Sequence, residues 1–533
     1  MRSGRIDGFE LIVLVVFAAV SVWVLGLDLW QVVARGRVWT GTDGIYLVDQ
    51  MQYLAWIQDA SRHLLAANLF VLTPTPADYL QPGVALSGGL TALGVAPWLS
   101  LLLWKPVAVG GAFYAVRQYA HRCLRSRESR RAALVLGLFF GSFTIIYGSF
   151  GVVGDLFAGF LSWGYTFGLV ALAAMLLALL RYDRARSANR VAWAPPLLGV
   201  LTSSMHPWQG ELLILILLGG ELAVCWRRVR ARGPRRPAPR SRARVKLLAV
   251  TVIATAVPLA YYGALGLLDG SWHLAREASK HSFSLWTVVL ALAPLALPAA
   301  LGYRGAPRTF ILTVTRVWPI AALGVFLLSG SVLGATPLHA FEGVTIPLAV
   351  LAVQGFEHWR IAGGRRGAGQ KSGRRIGVGG RRLLGSLAIV AATIPASGYE
   401  LYSARALVAP SAGNAGFITA DERRALRYLA HDPRPGGVLS RFYLGAVLPA
   451  LTGRRTFVGD CLWSQPACTA RAKSAQRLLR GSLTPAATGV LVLGSGARFV
   501  LADCQSSPDL ARRLGPFVSS MHRFGCATVY VVG

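Results

Sequence analysis

Charge is scarce in this sequence, and acidic charge scarcer still. Only 15% of the 533 residues are Asp, Glu, Lys or Arg, while 54% are hydrophobic. That balance excludes a disordered chain and an ordinary soluble enzyme. Asp and Glu number 23 against 55 Lys and Arg, a formal net charge of +32, and only five of those cations are lysines. The arginine bias is that of a GC-rich coding genome and says nothing about mechanism. There is no zinc-finger, helix-turn-helix or RRM pattern, and the basic residues do not form one stripe, so the positive charge does not mark a nucleic-acid binder. No internal repeat is visible. The six cysteines include no Cys-x-x-Cys pair, which argues against a zinc site.

Long apolar runs fill the space those absences leave. Phe9 to Leu29 has about the ~20 residues a bilayer crossing needs and is preceded by Arg2 and Arg5. No small-x-small site precedes a polar mature start, so it reads as a retained first span and not as a cleaved leader. Further apolar segments lie near 83–116, 132–150, 156–180, 191–205, 210–226, 247–268, 285–301, 309–329, 343–358 and 383–400. The expected architecture is an all-α polytopic membrane domain over 1–400, with about ten to thirteen transmembrane helices, followed by a small external α/β domain over 401–533. The stretch 83–116 reads equally as one span after an interfacial helix or as two short spans.

The connections sort by sign. Arg117–Arg131 carries six Lys/Arg, Arg181–Arg190 four, Arg227–Lys246 ten, Tyr303–Arg308 two and Arg360–Arg382 eight. The positive-inside rule puts all five in the cytoplasm. The first loop (30–82), the other intervening loops and the tail then face outward, giving a multi-pass protein of the bacterial inner membrane with its C-terminal domain extracytoplasmic. The Arg/Gly-rich loops at 231–246 and 361–382 have the composition of solvated linkers that also meet anionic headgroups.

In the tail, Thr419 is a natural N-cap for a helix over 421–431. Gly437–Ser440, Thr456–Gly459, Arg498–Ala502 and Ala527–Val532 read as short buried strands. Cys461, Cys468, Cys504 and Cys526 all lie here. An even set on the oxidising side suits disulfides, and the expected pairing is Cys461 with Cys468 and Cys504 with Cys526.

Residues able to do chemistry collect on the predicted outer side. Apolar and polar positions alternate at helical spacing from Val48 to Leu65, suggesting an amphipathic helix on the membrane surface with Asp49 at its start. That aspartate is either a general base or a helix cap. Lys105 and Arg316 lie within apolar runs, where an unpaired charge costs ~2.5–3.5 kcal/mol on insertion scales, which makes each a cation candidate; Lys105 is equally placed to snorkel. His206-Pro-Trp-Gln209 interrupts two apolar runs, so His206 and Gln209 could line a cavity. Asp155 and Glu342, at other outer turns, are candidates to bind a sugar or an ion. Converging with a His, such carboxylates would permit Mn²⁺ or Mg²⁺. Trp39, Trp56, Trp163, Trp208, Trp272 and Trp286 read as interfacial belt residues before sugar platforms.

The first loop, Asp49-Gln-Met-Gln-Tyr53-Leu-Ala-Trp56-Ile, together with Asp78-Tyr-Leu-Gln-Pro82 and the many spans, resembles the GT-C superfamily of polytopic glycosyltransferases. The nearest branch is that of protein mannosyltransferases and aminoarabinose transferases. The tail segments Gly437–Gly445, containing Arg441, and Pro449–Gly459 also look like the external tails of bacterial members, which makes Arg441 a substrate-binding candidate. The resemblance implies a polyprenyl-phosphate-linked sugar donor, a glycan, protein or lipid acceptor, membrane lipids around the chain, no nucleic acid, and inversion at the transferred sugar. It gives Asp49 the role of general base and Tyr53 a positioning role. Where the branch usually has Asp-Glu, this chain has Gln50, so a second carboxylate is lost or moved, with Asp43 a candidate replacement. The rival classes are a secondary transporter or lipid flippase and a catalytically inactive scaffold of cell-envelope assembly.

Overall fold

The computed structural model describes residues 5–44, 46–141, 156–232, 242–280, 284–328, 337–363, 383–391, 398, 401–402, 405 and 413–533. Asp155 and most of the basic loops 231–246 and 361–382 lie outside the described residues. The protein folds into two compact units, and the contacts draw the division differently from composition. One unit holds 1–23, 105–263 and 281–403; the other joins 24–104 and 264–280 to the tail from 404 onward.

The first unit is helical. Among the described residues of the whole chain, four helices are long and apolar enough to cross a membrane: Pro97–Cys123, Thr166–Ser187, Arg242–Leu268 and Phe310–Leu328. The pair Gly8–Ser21 and Trp23–Arg35, bent by 48° at its junction, makes a fifth if it is one span. Ala194–Met205, Leu285–Leu301 and Thr345–Gly363 cover other segments read as spans. Parts of the runs 132–150 and 383–400 lie outside the described residues. The protein is a multi-pass membrane protein. Small residues let its helices approach closely, as membrane helices require. A Cβ on Gly355 would lie 2.0 Å from the Pro298 carbonyl oxygen, so Thr345–Gly363 sits almost in backbone contact with Leu285–Leu301. Several arginines in the basic segments are held by the few carboxylates. Arg117 Nε lies 2.9 Å from Glu10, Arg122 2.6 Å from Asp183, and Arg127 and Arg131 each 3.0 Å from Asp7.

In the second unit, the helix Leu47–His63 forms where the periodicity placed it, but it does not lie on a surface. Met51, Leu54, Trp56 and Ile57 are buried, and so are Gln50, Gln52 and Asp59. Helices Pro82–Ala92 and Phe442–Thr452 cover it, and a Cβ on Gly88 would come within 2.8 Å of that of Ala60. The ambiguous stretch 83–116 resolves into Pro82–Ala92, Pro97–Leu102 and Trp104–Cys123. Backbone pairing ties loop to tail, with Val38–Trp39 antiparallel to Phe417–Ile418. Farther along, Thr456 N–H donates to Leu69 O, Ser464 Oγ to Phe70 O, and Arg455 to Asn68 O.

The tail has a four-stranded sheet in the order Val438–Ser440, Phe499–Ala502, Ala527–Val532, Val518–Phe524. The first pair is parallel and the others antiparallel. Thr419 caps helix Ala420–His431 in a reciprocal capping box with Glu422. Two expectations fail in detail. Thr456–Gly459 contributes only a single bridge among the described residues, Thr456 to Val438; beyond it Gly459 packs so closely that a Cβ there would lie 2.3 Å from the Gly445 carbonyl. Val518–Phe524 is a strand that the sequence reading missed. Both disulfides, Cys461–Cys468 and Cys504–Cys526, are formed as paired, while Cys123 and Cys225 are not disulfide-bonded.

Candidate functional site

Each unit contains a polar cluster. In the first unit, His206 sits where the chain breaks between helices Ala194–Met205 and Pro207–Arg232, in an extended conformation (φ −154°, ψ 107°). Pro207, which cannot donate a backbone hydrogen bond, lets the second helix start at once and puts Gln209 in its first turn. The turn Pro337–Phe341 delivers His339, and Glu342 follows directly. These side chains meet. His339 Nδ1 lies 2.7 Å from Glu342 Oε1 and His206 Nδ1 3.4 Å from Oε2. Gln209 Nε2 donates to Glu342 Oε2 at 2.5 Å, and His206 Nδ1 touches Gln209 Oε1. Tyr165 hydroxyl pairs with His206 Nε2 at 2.9 Å, and its ring stacks on His339 at 5.6 Å. Glu342 and Gln209 are fully buried. The ligand atoms of His206, His339 and Glu342 all lie within 4.8 Å of one another, a spacing that a single cation can bridge.

The intramembrane cations diverge. Lys105 is buried near the start of its helix. Arg316 is occupied: Nη1 donates to Gly305 O at 2.6 Å and Nη2 to Gly302 O at 2.8 Å, closing the end of helix Leu285–Leu301. The same unit has an apolar groove of about 370 Å³ lined by Phe9, Val13, Phe139, Phe157, Trp163 and Leu387 among others. Trp163 is buried and donates Nε1 to Val20 O, so it is no belt residue.

In the second unit, Asp49 lies in the first turn of Leu47–His63 and is exposed, whereas Asp43 is buried. Helical spacing puts Asp49, Tyr53 and Trp56 on one face. Trp56, also read as a belt residue, is instead packed inside, its ring 5.2 Å from that of Trp463 and 4.4 Å from that of Tyr79. Asp460 lies three residues before Trp463. Burial pushes its carboxyl up to about 7, with the charge of Asp49 adding to the effect and the Leu462 N–H opposing it. Asp78, beside Tyr79, is likewise raised by burial and by Asp269, with which it shares a hydrogen bond.

The Asp460 shift has a measurable sign. Between pH ~4 and ~7 the folded chain keeps a proton that the unfolded chain has released, so stability falls as pH rises through that window and levels off above it. The expected cost of ionisation is on the order of 4 kcal/mol at ~1.4 kcal/mol per pKa unit. Asp460→Asn should therefore flatten the loss of melting temperature between pH 5 and pH 8 in detergent; an unchanged slope would refute the assignment.

Arg441, read as a substrate-binding candidate, is engaged within the tail. Its guanidinium is buried in a two-pronged pair with Asp503, Nε to Oδ2 at 2.5 Å and Nη2 to Oδ1 at 3.2 Å. Sequence reasoning placed His339 in an outer loop without giving it a role, and passed over Tyr165 and Asp460. The His-x-x-Glu spacing of 339 and 342 was a usable signal. Asp460 had none, because its neighbours come from distant parts of the chain.

The fold these elements build is similar to that of a solved archaeal membrane oligosaccharyltransferase. The oligosaccharyltransferase of Archaeoglobus fulgidus in its apo form superposes with a TM-score of 0.50 at 14% identity, covering 98% of this chain and 74% of that one. The same archaeal protein tethered to an acceptor peptide containing the NVT sequon gives 0.50 at 15% identity, with the same coverage. ArnT from Cupriavidus metallidurans in the apo state aligns over 97% of each chain at 13% identity with a TM-score of 0.49. No protein-family model matches the chain, and no curated protein sequence does.

Proposed function

We propose that this chain is a membrane glycosyltransferase that moves a sugar from a polyprenyl-phosphate donor to an acceptor outside the cytoplasm, with inversion, using Asp49 as general base. The observation that carries the reading is the exposed Asp49 on a helix start whose remaining face is locked into the protein, within a GT-C fold. The acceptor hydroxyl attacks the anomeric carbon and gives its proton to the Asp49 carboxylate. The bond from that carbon to the phosphate oxygen breaks, and polyprenyl phosphate leaves as a stable anion that needs no acid. Direct displacement inverts the sugar.

The first unit, taken by itself, has two features that suit lipid and phosphate chemistry. The apolar groove suits an isoprenoid chain, and the His206–His339–Glu342 set suits a divalent cation. Two imidazoles and one carboxylate fit Mn²⁺ better than Mg²⁺, which prefers oxygen ligands. When bound, the cation would supply positive charge for a phosphate. His206, His339 and Glu342 would hold it, and Gln209 and Tyr165 would fix the orientation of Glu342 and His206.

The test is transfer by the purified protein from a polyprenyl phosphate carrying a radiolabelled sugar to envelope extract, with mass spectrometry of envelope glycans with and without the gene. Labelled glycan product is expected. Chelation should lower its rate, and Mn²⁺ should restore it better than Mg²⁺. Lipid scrambling in proteoliposomes without any labelled product would favour a flippase instead.

A further inference from the structure

Four carboxylates of the second unit each sit close in sequence to an aromatic ring: Asp49 before Tyr53 and Trp56, Asp78 before Tyr79, Asp269 before Trp272, and Asp460 before Trp463. The rings form one cluster. Trp272 stacks on Trp56 at 6.1 Å with 21° between planes, lies 4.8 Å from Tyr79, and meets Trp463 edge-on at 4.6 Å. Tyr53 joins through Trp56 at 5.7 Å. Asp269 aims Trp272 by accepting from the Ser271 and Trp272 backbone N–H groups at the head of helix Gly270–Ser279.

A hydrophobic core would account for the rings but not for the polar atoms among them. Among the described residues, Asp460 Oδ2 and Trp463 Nε1 have no hydrogen-bond partner, although Asp460 is 3% and Trp463 4% exposed. A buried acceptor and a buried donor left unpaired in one cluster cost free energy that a ligand bearing both kinds of group would recover. Tyr53 and Trp272 are only half-buried, so a rotation of these side chains is enough to admit one.

We propose that this cluster is a carbohydrate subsite that binds the acceptor glycan. A sugar ring presents C–H faces that pack on aromatic rings and hydroxyls that both donate and accept hydrogen bonds. The hydroxyls donate to Asp460 and the Asp78/Asp269 pair and accept from the Trp463 indole. Carboxyl groups and an indole N–H suit the hydroxyls of an uncharged sugar better than a phosphate, which assigns the subsite to the acceptor. The assignment rests on the glycosyltransferase reading for the word acceptor; the binding of carbohydrate does not.

The test is a titration of the purified full chain in detergent with short neutral gluco-, manno-, galacto- and arabino-oligosaccharides, read by tryptophan fluorescence. At least one series should saturate. Trp272→Ala and Asp460→Asn should each weaken that binding by roughly tenfold, while circular dichroism and melting at pH 5 stay close to wild type. Absence of saturable binding in every series, saturation by a peptide or by lipid micelles alone, or unaltered affinity in both folded variants would overturn the proposal. Glycan binding without sugar transfer would sink the catalytic reading and spare this one; transfer without glycan binding would do the reverse.

Discussion

Asp49→Asn should cut sugar transfer by roughly 10²- to 10⁴-fold, the contribution of a positioned general base, with expression, melting temperature and oligosaccharide binding retained. The side chain is exposed, and Asn keeps its size and its capacity to accept a hydrogen bond, so the fold has little reason to change. Donor affinity should be unaffected, because the base acts on the acceptor proton; the loss should appear in kcat. The comparison uses purified wild type and variant with the same labelled donor. Equal rates would leave the scaffold and transporter readings standing. Asp43→Asn gives the contrast: that carboxyl is buried, and its replacement should act on stability before it acts on rate.

Arg441→Ala should be the most damaging single change in the tail. Asp503 would be left buried without its guanidinium partner, keeping hydrogen bonds from Ser506 Oγ and the Gln505 N–H. Breaking a buried ion pair from one side costs on the order of 3–5 kcal/mol, enough to unfold a marginal domain. Replacing both partners with apolar residues of similar volume should recover much of the loss, and chemical denaturation followed by tail fluorescence would read both. Were Arg441 instead a substrate ligand, Arg441→Ala would melt like wild type and fail only in transfer.

The contrast between Asp49 and Arg441 shows what a sequence of this kind discloses. Apolar length fixes helices, so most membrane segments and the helix over 47–63 could be located from the chain alone. The cysteine pairs were legible for a similar reason, since four cysteines in one short segment leave few choices. Burial of Gln50, Gln52 and Asp59 was not legible: the helix looks amphipathic in isolation, and only the covering helices Pro82–Ala92 and Phe442–Thr452 make its polar face interior. The strand Val518–Phe524 escaped notice because Ser519, Ser520, His522 and Arg523 dilute its apolar content, as befits the outermost strand of a sheet. Arg441 and Asp503 lie 62 residues apart, and no local pattern announces their meeting. His206, Gln209 and Glu342 were each chosen singly as candidates, yet their convergence with His339 exists only in three dimensions.

The pairing of Asn68, Leu69 and Phe70 with residues 455, 456, 463 and 464 also has a bearing on biogenesis. Nearly four hundred residues must emerge from the ribosome between one partner and the other, and loop closure over that distance comes late. Until the last stretch is translated, the helix Leu47–His63 has Pro82–Ala92 to pack against but lacks its other cover, Phe442–Thr452. The backbone groups of Asn68, Leu69 and Phe70 therefore stay without these partners through most of the chain's synthesis.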